Sequence, residues 1–204
     1  MSCAHCLFSC TEKGKDMSMG VFKDSIKIAK EYDSYITIGG GEPTLHPKIL
    51  EMVGYSALML DGAPTMITNG SCSEDVWETL FSASLKGILS LHVSRSPWHD
   101  ELMVNGSVWR DADRHNMWWG DPSSSHRGIT PKGRAKGNIS KLTQDAVDFG
   151  FDPKKVFETH DCQGVRVDPY GKVWADLKKE NVLCGYQNDE NVCKAYELIE
   201  QDEE

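Results

Sequence analysis

Between residues 17 and 94, short β-branched runs alternate with helix-like stretches, and this alternation restricts the fold more than any other property of the chain. MSMGVFKDSIKIAKEY (17–32) spaces Val21, Ile26, Ile28 and Ala29 at roughly helical intervals before Asp33 and Ser34 end the run. YITIGG (35–40) is a short β-branched stretch running into glycines, as a buried strand opening into a loop does. Residues 46–56 again read as a helix, with Pro47 suited to its first turn. APTMITNGS (63–71) is a second strand ending in Asn-Gly. SEDVWETLFSAS (73–84) is a helix with Ser73 as N-cap and acidic residues in its first turn, and KGILSLHVS (86–94) is a third strand. Strands separated by helices of about 10 to 15 residues signal βαβ units, so the expected class is α/β with parallel strands.

Beyond residue 95 the period weakens. SPWHDELMVNGSVWRDADRHNMWWGDPSSSH reads as a short helix near 99–104 followed by a long loop rich in Trp and His. Aromatic residues there read as plugs for a core edge rather than the lining of a substrate pocket. A helix over 138–150 stops at Gly150, GVRVDPYGKVWAD (164–176) alternates around Pro-Tyr-Gly as a hairpin does, and 189–201 reads as a closing helix. The 204 residues suit one main domain with a small appendage, placed at 1–150 and 151–204.

Charge excludes one class of partner. A formal net charge of −9 argues against a broad nucleic-acid surface, and Arg127, Lys132, Arg134, Lys136 and Lys141 read as a solvated loop. No apolar run approaches the roughly 18 residues of a membrane span, and the start lacks a basic, then apolar, secretory pattern. The cytosol is therefore the expected compartment. In a reducing compartment the seven cysteines suit metal ligation or thiol chemistry better than disulfides, with Cys72 read as a plain thiol.

The first soft-ligand cluster is CAHCLFSC, where Cys3, Cys6 and Cys10 can wrap one metal centre. Thiolates select zinc, Cu(I) or iron–sulfur clusters, and spacing alone leaves these open. A closed zinc site needs a fourth ligand, and His5 between two of the cysteines is awkwardly placed for it. About thirty residues later, ITIGGGEPTLHP (36–47) sits at the carboxyl end of a predicted strand, where α/β folds bind ligands. Its glycines let a ligand approach the backbone, and main-chain groups with a carboxylate can hold an ammonium group. His46 reads as a helix-start residue rather than an acid or base.

Together these two stretches resemble the radical S-adenosylmethionine (radical SAM) superfamily. The resemblance implies a partial (β/α)6 TIM-like barrel of parallel strands with a small C-terminal hairpin and helix. It implies a [4Fe-4S] cluster on Cys3, Cys6 and Cys10, and a Gly40, Gly41 and Glu42 segment that meets the amino group of SAM. TNG (68–70) resembles the end of the next family strand, and on LSLHVSRSPWHD (89–100) the polar Ser94 would touch the SAM ribose. The implied activity is reductive cleavage of SAM to a 5′-deoxyadenosyl radical that abstracts hydrogen from substrate, with a donor such as flavodoxin or ferredoxin supplying the electron.

The family spacing is C-x3-C-x2-C, whereas this chain reads C-x2-C-x3-C. One expectation is that Cys3 and Cys6 are the second and third family cysteines, with the first two residues before Met1 and the first barrel strand upstream with it. The other keeps Cys3, Cys6 and Cys10 as ligands in an unusual order. PKGRAKGN (131–138) and CQGVRVDPYGKVWAD (162–176) resemble late segments of peptide-modifying members, which favours a peptide substrate over a small molecule. In SPASM or twitch extensions the hairpin ends in a cysteine; here Asp176 stands in that place. Cys162, Cys184 and Cys193 lack a CxxC pair, so a degenerate extension is expected rather than an auxiliary cluster. The rivals are a non-catalytic zinc- or iron–sulfur-binding module and an inactive remnant of such an enzyme.

Overall fold

The computed structural model describes residues 10–11, 13–31, 33–94, 106–119, 137–148, 165–167, 169–171 and 173–175. In chain order the elements are α1 (Met19–Glu31), β1 (Thr37–Ile38), a 3₁₀ turn (Pro43–Leu45), α2 (Ile49–Met59), β2 (Thr65–Thr68), α3 (Glu74–Leu85) and β3 (Ser90–Ser94). There follow α4 (Gly106–His115), β4 (Trp118–Trp119), α5 (Ile139–Asp148), β5 (Val165–Val167) and β6 (Val173–Ala175). Two compact units form, one from Met1–Gly14 with Tyr35–Thr159 and one from Lys15–Ser34 with His160–Glu204.

The first unit is built on a four-stranded sheet in the order β1-β2-β3-β4, every neighbouring pair parallel. Register pairs Met66 with Leu91 and Thr68 with Val93, so these four side chains share one face. All four are buried. Met66, Leu91 and Val93 pack against Ile49 and Val53 of α2, Trp77 and Leu80 of α3, and Val108 and Ala112 of α4. Three successive crossover helices thus cover one face of strands laid down in chain order. That is the winding of a β/α barrel segment, since a doubly wound sheet reverses its order and places helices on both faces. The expected α/β class with parallel strands holds. The other face carries Thr65, Ile67, Ser90, His92 and Ser94, half-buried, with Ser90 Oγ 3.1 Å from His92 Nε2.

Local signals behave as read at α3, where the Ser73 hydroxyl accepts from the Val76 N–H and Glu74 and Asp75 occupy the first turn. Elsewhere boundaries move. The helix expected over 46–56 begins at Ile49, because Pro43–Leu45 take up a 3₁₀ turn and the Lys48 N–H is held by His46 Nδ1 at 3.0 Å. Pro47 therefore precedes the helix rather than opening it. The third strand begins at Ser90, not Lys86. Lys86, Gly87 and Ile88 close α3 through N–H bonds to Ser82, Ser84 and Ala83, with Gly87 at φ +70° in the left-handed region.

The largest correction concerns the expected loop after residue 95, which contains α4 and β4. Val108 and Ala112, four residues apart, are fully buried, while Arg110 and Asp111 between them and Asp113 and Arg114 after them mask the stripe. The helix expected near 99–104 and the closing helix over 189–201 lie outside the described residues. Of the basic run, only Lys141 is described, exposed on α5.

In the second unit, α1 buries Phe22 and Ile26, and β5 pairs antiparallel with β6 as the expected hairpin, Val167 opposite Val173. Gly171 at φ +86° turns the hairpin where a Cβ would lie 3.7 Å from Val21, and Lys15 Nζ sits 4.9 Å above the Tyr170 ring. Among the described residues, no helix is long and apolar enough to cross a membrane.

Candidate functional site

Parallel strands end at one edge, and that edge collects the residues singled out in the sequence. β1 leaves Ile38 into Gly39–Gly41, β2 leaves Thr68 into Asn69 and Gly70, and β3 ends at Ser94, which pairs with Trp119. The glycine segment and Ser94 are thus both at the carboxyl edge, with β2 between their strands and Ser94 on the face away from the helices.

Gly40 adopts φ +117°, a conformation that favours glycine, and among the described residues a Cβ at Gly39 or Gly40 would meet nothing within 4 Å. At Gly41 the surroundings change: a Cβ there would lie 3.9 Å from both Cβ and Sγ of Cys10. The last member of the amino-terminal cysteine run therefore lies against the glycine loop, 31 residues further along the chain. Cys3 and Cys6 lie outside the described residues, as do Cys162, Cys184 and Cys193. Among the described residues, no group of three or more His, Cys, Asp or Glu side chains is placed to hold a metal ion.

Glu42 is held from several sides. Its Oε1 accepts from the Thr44 N–H at 3.1 Å, the Thr44 hydroxyl at 2.6 Å and the Thr68 hydroxyl at 2.5 Å, and its Oε2 accepts from the Asn69 N–H at 2.8 Å. Thr44, Thr68 and Asn69 are buried, with Thr68 only 1% exposed. The Thr68 hydroxyl also accepts from the Gly70 N–H at 2.9 Å, which closes the turn after β2 onto the same cluster. Sequence reading placed Glu42 at the site but missed Thr44, Thr68 and Asn69. The available signal was TNG at a predicted strand end, where a hydroxyl and a turn could meet a carboxylate from the neighbouring strand.

Cys72 joins this cluster. It is half-buried against the hydrophobic core, with Sγ 3.8 Å from the Gly70 carbonyl. Burial pushes its thiol above the ordinary cysteine value, and the Glu42 charge pushes the same way, while hydrogen bonding to Thr44 and the Cys72 backbone pulls down. A raised value keeps the neutral thiol, so this contribution to stability is complete below the unfolded-state value and is lost as pH rises through the folded one. Cys72 is accordingly expected to alkylate more slowly than free cysteine at pH 8, in peptide-resolved mass spectrometry with iodoacetamide. Equal rates would mean the thiol is neither buried nor beside the carboxylate.

The aromatic segment supports the core. Trp118 packs on the hydrophobic cluster, its ring centroid 4.8 Å from that of Trp109, and its Nε1 donates to Asp113 at 2.8 Å. His115 meets the Phe81 ring edge-on at 5.1 Å. Trp98, His99 and His126 lie outside the described residues. His46 ends the 3₁₀ turn and accepts the Lys48 N–H, so it precedes α2 rather than starting it as read from sequence.

No family model matches the chain, and no curated protein matches it. Among solved structures, the crystal structure of BtrN in complex with AdoMet and 2-DOIA is similar over 59% of this chain at 18% identity, with a TM-score of 0.41. This chain spans about half, 51%, of that one.

Proposed function

We propose that this chain is a radical SAM protein that binds SAM at the carboxyl edge of its parallel sheet. The observation that supports the reading is the placement of Cys10, the last cysteine of the run, against Gly41 in the glycine loop at a strand end. The donor chemistry fits. Three thiolates from Cys3, Cys6 and Cys10 suit a [4Fe-4S] cluster that keeps one iron free of protein ligands. Such a cluster, when bound, supplies the electron for reductive cleavage of the SAM sulfonium to a 5′-deoxyadenosyl radical.

The protein's share is binding and orientation. The loop of Gly40, Gly41 and Glu42 receives the methionine part of SAM, and Ser94 offers its hydroxyl to the ribose from the end of β3. The polar face through Ser90 and His92 lies on the same side of β3 as Ser94 and is available to substrate. A peptide is the favoured substrate and flavodoxin or ferredoxin the favoured donor on the sequence resemblances alone, and the cytosol is the proposed compartment.

The test is anaerobic purification and reconstitution with iron and sulfide, followed by dithionite and SAM. A brown protein with about four irons per chain that forms 5′-deoxyadenosine is the expected result. A colourless protein holding about one zinc would replace this reading with a structural metal module.

A further inference from the structure

We propose that the outward face of α2 is a self-association surface, on which a second copy of this chain packs antiparallel across a two-fold axis at Gly54. The proposal is independent of what the carboxyl edge of the sheet binds.

α2 turns Ile49, Met52, Val53 and Ser56 inward, and all four are buried. On its other side Leu50, Gly54 and Leu58 follow one another at four-residue intervals and are exposed, Leu50 by 40% and Leu58 by 85%. The two following helices show the polar surface that an outer helix ordinarily presents to water. Glu74, Asp75, Glu78 and Thr79 are exposed on α3, and Arg110, Asp113 and Arg114 on α4. Among the 11 residues of α2 the one charged side chain is Glu51, and Lys48, just before the helix, lies 3.8 Å from it.

Gly54 is an independent observation. It stands at the middle of α2, although glycine is the poorest helix former after proline. Its backbone is helical, and among the described residues a Cβ there would meet nothing within 4 Å. Neither conformation nor packing among those residues calls for a missing side chain. A second helix crossing closely at that point does, because the distance between two helix axes is set by the side chains at the contact. The stripe is also symmetric about Gly54, with a leucine four residues to either side. An antiparallel copy places the two glycines together on the axis and sets Leu50 of each chain against the partner's Leu58. Every contact is then made twice, as an isologous interface requires.

Charge selects the occupant. At a net charge of −9 two copies repel over much of their surface, and repulsion is weakest where the lone carboxylate is already beside a lysine. An anionic lipid surface would repel the chain in the same way, and an interfacial helix would need a polar face rich in Lys and Arg, which α2 lacks. Size sets the strength. α2 is about 16 Å long, so the stripe alone falls short of the roughly 800 Å² per partner of a standard interface. Leu45 in the 3₁₀ turn before α2 and Tyr35, beside Gly62 after it, add exposed apolar surface near its two ends. The expected product is a reversible dimer with a dissociation constant on the order of micromolar.

Sedimentation velocity of the full-length chain from about 1 to 100 µM should show the mass rise from one chain to two and stop there. A chain that stays monomeric throughout, or that assembles beyond two copies, overturns the proposal. Gly54→Glu brings two carboxylates together on the axis while improving helix propensity, so it should be monomeric at about 100 µM with a urea midpoint no lower than wild type. A variant that still dimerises overturns the proposal. So does one whose urea midpoint falls, since the stripe would then be covered from within its own chain. Position is read by Gly54→Cys under mild copper-catalysed oxidation, with disulfides mapped by peptide mass spectrometry. A link between position 54 of two chains is expected, because Cβ atoms on the axis meet the short separation a disulfide needs. Absence of that link from a dimeric sample places the interface elsewhere and overturns the assignment to α2.

Discussion

Replacing Trp77 by alanine should destabilise the fold by about 3–5 kcal/mol, a large share of the roughly 5–15 kcal/mol that holds a domain together. Trp77 is fully buried in α3, stacks on Phe81 with ring centroids 5.9 Å apart and planes 13° from parallel, and belongs to the cluster uniting α2, α3 and α4 with the sheet. Alanine leaves a cavity that helices on either side cannot close without shifting the strand ends they support. It also removes the Nε1–H that donates to Asp111 at 2.9 Å. Asp111 keeps a second partner in Arg110, 4.0 Å away, so the carboxylate is not wholly abandoned. Trp77→Phe keeps the six-membered ring and loses the hydrogen bond with the smaller part of the indole, so it should cost less than alanine, about 1–3 kcal/mol. Urea denaturation reads both, and a Trp77→Ala midpoint equal to wild type would mean that this ring does not tie α3 to α4.

That tie bears on function because α4 leads into β4, which pairs with β3 beside Ser94. A loosened α4 would move the rim of the sheet before it unfolded the sheet. Trp77→Ala should therefore weaken SAM binding at temperatures well below its melting point, whereas Leu58, exposed at the end of α2, should tolerate alanine with an effect within about 0.5 kcal/mol.

Some of this was legible in the residues. The parallel class followed from β-branched runs separated by helices of suitable length, and the Ser73 cap, the Pro-Tyr-Gly hairpin and the strand-end glycines are local signals that tertiary packing had no cause to override. α4 was hidden because its buried stripe is narrow, Val108 and Ala112, among four charged residues. β4 is two residues long and takes its strand character from pairing with β3. The Glu42 anchor was signalled only by TNG at a predicted strand end, since Thr68 and Asn69 are 26 and 27 residues away and meet it through the β1–β2 pairing. Nor could the starts of α2 and β3 be placed, because the 3₁₀ turn and the α3 cap compete for the same residues by hydrogen bonds that propensity does not rank.

The cysteine run carries the other large expected effect. Cys3→Ala, Cys6→Ala and Cys10→Ala should each reduce reconstituted iron from about four per chain to below one, and with it all formation of 5′-deoxyadenosine, because an iron–sulfur cluster left with two protein thiolates is neither held nor shielded. Cys72→Ala is the matched control. Its thiol is half-buried beside Glu42 with burial pushing it toward the protonated form, so it is a poor metal ligand, and iron content should stay at the wild-type level. The four variants also separate the two ligand assignments. If Cys10 supplies the third thiolate, its variant loses iron as Cys3 and Cys6 do. Full iron retention by Cys10→Ala, with loss in the other two, would assign the third thiolate to a residue other than Cys10. The position of Cys10 beside Gly41 makes its removal informative either way: a sulfur 3.9 Å from the Gly41 Cβ position is close enough to the loop that SAM affinity should change with it, whether or not that sulfur binds iron. Iron retention in all three amino-terminal variants would end the radical SAM reading of this chain.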